Sequence, residues 1–102
     1  MGFEVHKLIE RSYGMANSIT YSFANLVPTA VNVHRAISAV HSTTTTLANN
    51  LTLRAYMAQS FSSGKLSVEQ VYLFETRLWQ LAMRYNGQAV PIKQAEQLLE
   101  NL

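Results

Sequence analysis

The sequence predicts an all-α protein, a four-helix arrangement with one long central helix. Three observations carry that expectation: apolar residues recur at about 3.6-residue spacing through nearly the whole chain, turn chemistry is confined to a few points, and a capping box marks one helix start. In the first segment Val5, Leu8, Ile9, Ser12, Met15, Ala16, Ile19, Phe23, Leu26 and Val27 fall on one narrow helical face, which predicts a helix from about Phe3 to Leu26. Gly14 lies inside it and should cost ~1 kcal/mol relative to alanine. Pro28 then ends the helix, because the residue before a proline is pushed out of the α region.

Beyond Pro28, Val33, Ile37, Val40, Thr44, Leu47, Leu51, Ala55 and Ala58 keep one stripe in phase. A chain break at Thr43-Thr44-Thr45-Thr46 would normally reset that phase, so one helix from about Thr29 to Ser62 is favoured over two joined near Ser42 to Thr46. The poor helix propensity of threonine argues for the break. A continuous helix would be roughly 50 Å long, more than the rest of the chain can cover, and a second subunit is then expected to cover it. Ser62-Ser63-Gly64-Lys65 reads as a turn. Ser67 with Gln70 has the capping-box spacing and opens a helix to about Tyr85, stopped by Asn86-Gly87. Pro91 opens a last helix to about Asn101, with Ile92, Ala95, Leu99 and Leu102 facing inward.

With 102 residues, one helical domain spanning 1–102 is the expectation. Only 14% of residues are charged, well under the roughly 25% of ordinary soluble proteins, and Ser, Thr, Asn and Gln replace them. All six acids are glutamates outside the middle of the chain, and between Ser12 and Val68 the charges are Arg35, Arg54 and Lys65. Such a surface offers little of the repulsion that keeps copies apart. Cysteine is absent, which removes disulfides and thiolate chemistry. The opening Met1-Gly2-Phe3-Glu4-Val5-His6 argues against a cleavable secretory signal, His6 stands where a myristoylation motif needs Ser or Thr, and no apolar run is long enough for a membrane span. The expected location is cytoplasmic.

The helix from Ser67 to Tyr85 carries the most specific signal. Val71, Phe74, Leu78, Leu81, Ala82 and Tyr85 form one facet, and Val68, Tyr72, Trp79 and Met83 a second beside it, so its apolar arc is near 200°, about twice what one core contact requires. Either the helix is central and buried on two sides, or Tyr72, Trp79 and Met83, with Leu73 beside them, form a protein interface. Glu75 lies between the facets and needs either a solvent gap or a salt bridge, for instance with an arginine of another subunit. His34 and His41, seven apart, read as polar surface residues flanking the stripe, too widely spaced for a helical metal pair, and His6 reads as a helix surface residue. Nothing in the spacing pairs Glu75 with His41.

These features point to a non-catalytic interaction, adaptor or assembly protein acting as a homo-oligomer, a dimer or higher, and binding another protein. No catalytic constellation, phosphate loop, cofactor motif or metal set is visible. The alternative is a nucleic-acid-binding regulator using the two C-terminal helices as a helix-turn-helix, with Arg77, Arg84 and Lys93 contacting nucleic acid and Arg35, Arg54 and Lys65 adding charge. The second helix of that pair carries Lys93 against Glu96 and Glu100, a poor balance for phosphate. A third reading, assembly into a filament or shell, or docking on an envelope structure, rests on charge-poor, Ser/Thr-rich helices alone.

Overall fold

Strand pairing, not helical period, governs the start of the chain: Phe3, Glu4 and Val5 are exposed while His6 is buried. A computed structural model describes residues 2–22 and 25–102. Strand β1 (Phe3–Lys7) is followed by a 3-10 turn (Arg11–Tyr13), a one-turn helix α1 (Asn17–Thr20) and strand β2 (Leu26–Ala30). Helices α2 (Val31–His41), α3 (Leu53–Ser62), α4 (Val68–Arg84) and α5 (Ile92–Glu100) complete the chain. The expected all-α fold is therefore corrected: among the described residues the architecture is mixed, five helices and a two-stranded antiparallel sheet.

The predicted helix from Phe3 to Leu26 does not form. Gly14 adopts φ +78°, a left-handed conformation that ends the 3-10 turn and that a right-handed helix cannot contain. Asn25, 1% exposed, holds the chain reversal. Its Oδ1 accepts from the Ile9 amide at 2.5 Å, and its Nδ2 donates to the carbonyls of Ile9 at 3.0 Å and Thr20 at 2.7 Å. One amide side chain thus satisfies backbone groups that a continuous helix would have satisfied internally. Pro28 sits within β2 opposite Val5, not at a helix end. Phe23, assigned to the apolar face of that helix, lies outside the described residues.

The long central helix is also corrected. Helix α2 stops at His41, and the threonines belong to a loop. The Thr43 hydroxyl donates to Ala39 O, the Thr43 carbonyl accepts from Leu53 N, and Thr44 forms an isolated bridge with Thr52. Hydroxyls that offer the backbone alternative partners, together with β-branching, win over the stripe's phase. Thr44 and Leu47, which continue that stripe, are exposed. No 50 Å rod remains to be covered: the radius of gyration is 12.8 Å, close to the ~13 Å of a compact chain of this length.

The second half follows local rules. Thr52 caps α3 through Ala55 N. Ser67 accepts from Gln70 N at 3.2 Å while Gln70 Oε1 accepts from Ser67 N at 2.9 Å, the reciprocal capping box. Asn86 and Gly87, at φ 54° and 83°, form the left-handed turn after α4. Helix α4 is central: Val71, Phe74, Leu78 and Ala82 are fully buried against Val33, Ile37 and Val40 of α2, Leu53 and Met57 of α3, Ala95 of α5, and Ile9, Tyr13 and Met15 from the N-terminal segment.

Candidate functional site

On the second facet of α4, Val68 and Tyr72 face the N-terminal segment and Trp79 faces the sheet. Tyr72 and Leu73 line an apolar groove of about 510 Å³ with Ile9, Ile19 and Val68. Tyr72 is half-buried and Leu73 is 38% exposed. Two turns along, the Trp79 indole packs against the core and its Nε1–H donates to Thr29 Oγ1 at 2.9 Å. Met83 is 42% exposed. Tyr72 and Leu73 therefore share one groove, whereas Trp79 is committed in part to holding β2 and Met83 stands near the end of α4.

Beneath that face lies an ionic network. Glu75, 1% exposed, stands 3.0 Å from Nε2 of His41, which has no exposed surface. The Tyr13 hydroxyl donates to Glu75 Oε2 at 2.5 Å and lies 3.2 Å from His41 Nε2. On its other side His41 Nδ1 is 3.0 Å from the Ile37 carbonyl and 3.4 Å from Glu10 Oε2, and Glu10 Oε1 accepts from Arg54 Nε at 2.6 Å. Burial, the largest influence on His41, disfavours its imidazolium, yet the Glu75 and Glu10 carboxylates outweigh it and raise its pKa. Burial and the adjoining Glu75 carboxylate push the Tyr13 phenol well above its ordinary value, so Tyr13 is a fixed donor.

Several assignments change with this geometry. Glu75 finds its salt bridge within its own chain and with a histidine, not with an arginine of another subunit. His41 is a core residue and His6, on β1, is 4% exposed, so neither is a surface histidine. One signal was present: His41 follows Ile37 by four residues and so shares the buried stripe of α2. Nothing in the sequence located Tyr13 or Glu10 beside it, because those contacts are made across the fold.

Near the sheet, His34 Nδ1 meets Glu4 Oε1 at 2.8 Å, and the His6 and His34 rings stand 5.1 Å apart, edge to face. His6 Nε2 is buried with no hydrogen-bond partner among the described residues. Burial and the neighbouring His34 and His41 lower the His6 pKa to about 4, so the ring is neutral at physiological pH.

Of the cations assigned to nucleic acid, Arg54 is held by Glu10, Lys65 donates to the Tyr56 hydroxyl at 2.8 Å, and Arg77 Nη1 donates to the Asn101 carbonyl at 3.1 Å. Arg35, Arg84 and Lys93 are exposed, on α2, the end of α4 and α5. Glu96 of the would-be recognition helix is turned inward and accepts from Thr45 Oγ1, Thr46 N and Thr46 Oγ1 at 2.6 to 2.8 Å. Among the described residues no helix is long and apolar enough to cross a membrane. Comparison of the chain with known protein families, with curated proteins and with solved structures finds no match in any of the three.

Proposed function

We propose that this is a non-catalytic interaction protein that works by binding protein, its own copies included. The observation that carries the reading is the set of large apolar side chains left in solvent, Phe3 at 75% and Val5 at 64% exposure the foremost among the described residues, with Tyr21, Met83, Leu47 and Leu73 behind them. Single exposed apolar residues are ordinary, but Phe3 and Val5 alternate on one face of one strand and so form a continuous patch. The groove beside Leu73 adds a second apolar surface suited to a protein side chain. Against catalysis stands the burial of the strongest ionisable cluster: Tyr13, His41 and Glu75 are closed off from any substrate. Against nucleic acid stand the internal partners of Arg54, Lys65 and Arg77.

Sedimentation equilibrium over a low to high micromolar range is the test. The expected result is an apparent mass rising above the 11.5 kDa of one chain. A constant monomer mass throughout that range refutes self-association. Substituting Leu73→Ser and Met83→Ser changes exposed residues, whereas Trp79→Ala also breaks the bond to Thr29 and so confounds binding with folding.

A further inference from the structure

We infer that β1 is the self-association surface: it pairs antiparallel with β1 of a second copy, about a twofold axis at Val5, to make a four-stranded sheet. The inference rests on the self-association reading and specifies its surface.

The phase of the ladder identifies the free groups. In the register that places Val5 opposite Pro28, Leu8 N–H donates to Asn25 O at 2.9 Å and Val31 N–H donates to Gly2 O at 3.3 Å. Those bonds belong to even-numbered residues of the first strand, so Gly2, Glu4, His6 and Leu8 face β2. Phe3, Val5 and Lys7 direct their N–H and C=O groups away from it, towards an edge that no other strand among the described residues covers. An uncovered edge is a template for another strand.

The two edges of the sheet differ. On β2 the outward set is Leu26, Pro28 and Ala30, and Pro28, with no N–H, blunts it at its centre. The proline costs the ladder nothing, because its position makes no bond to β1. Strand β1 carries no proline and no bulge, so its edge alone is left competent to pair.

Pairing about Val5 is self-complementary. It sets Val5 against Val5 of the second copy and Phe3 against Lys7, and these are all residues whose backbone groups point away from β2, giving roughly six interchain hydrogen bonds. Glu4 falls opposite His6 of the second copy, but both are engaged within their own chain, Glu4 with His34 at 2.8 Å and His6 in the interior, so the cross-strand fit rests on the odd-numbered residues. On the outer face Lys7 already lies 5.2 Å from the Tyr21 ring centre. The opposing Phe3 would flank the same ammonium with a second aromatic ring. Such an interface is isologous and closes at two copies.

Amide hydrogen exchange on the whole protein at low and high micromolar concentration reads the pairing directly. The amides of Phe3, Val5 and Lys7 should gain at least tenfold protection at high concentration, while those of Glu4 and His6, held by β2, should be protected at both. Val5→Pro removes an N–H that makes no bond to β2, and should weaken the dimer at least tenfold with its helical circular dichroism unchanged. If the protein sediments as an oligomer while the Phe3, Val5 and Lys7 amides stay unprotected, the surface is wrong and the self-association reading stands. If it stays monomeric throughout, both fail.

Discussion

Replacing His6 by leucine should make the protein more stable and remove part of its sensitivity to acid. His6 is 4% exposed and its Nε2 has no partner among the described residues, so the wild type carries a desolvated polar atom that leucine lacks. Its pKa falls from 6.5 to about 4 on folding. Between those values the unfolded chain binds the proton and the folded chain does not, so stability drops as pH falls. Moving from about pH 7.5 to about pH 5.5 should therefore cost the wild type about 1.3 kcal/mol through this residue. His41 acts with the opposite sign: its raised pKa contributes stability that is complete below 6.5 and is lost as pH rises through the folded value. The total pH slope mixes the two, and the difference between wild type and His6→Leu isolates the first. Urea unfolding at low micromolar concentration, followed by helical circular dichroism, supplies both free energies. Leucine should gain about 1 kcal/mol at the higher pH and a further 1.3 kcal/mol or so at the lower. Parallel pH profiles for the two proteins, within about 0.3 kcal/mol, would refute the reasoning.

Three further outcomes are expected. Glu75→Ala strands the His41 imidazole and the Tyr13 hydroxyl in the core and should cost about 3–5 kcal/mol in urea unfolding; a loss below about 1 kcal/mol would show that the pair is not buried as described. Glu96→Gln leaves the donors of Thr45 and Thr46 without a carboxylate, and should cost about 1–2 kcal/mol and speed proteolysis within residues 43–51. Burial works to raise the Glu96 pKa, but the hydrogen bonds from Thr45 and Thr46 outweigh it and lower it, so this contribution is present above 4.5 and is lost as pH falls through the folded value; the variant should lack that acid-dependent loss. Gly87→Ala places a Cβ at φ +83° against the Asn32 side chain, and should cost about 1–2 kcal/mol; unchanged unfolding would mean that the turn rearranges freely.

Where a residue's conformation depends on neighbours within a few positions, the sequence was a sufficient guide. Ser67 and Gln70 open α4, Asn86 and Gly87 close it, and Pro91 opens α5, because caps and left-handed turns are satisfied within four residues. The arc of α4 also told correctly that Glu75 needed an answer. Tertiary structure supplied what short range could not: Asn25 stapling Ile9 at sixteen residues' distance, Thr29 receiving the Trp79 indole at fifty, Glu96 gathering the threonine loop and His41 meeting Glu75. The N-terminal stripe is compatible with helical period, yet Phe3 to Lys7 also alternate, and a strand outcompetes a helix there only because β2 is brought alongside to share its hydrogen bonds. Periodicity records which side chains prefer burial; which backbone partner satisfies them is decided by residues far away in the chain, and the paired strand and the buried imidazole both depend on such partners.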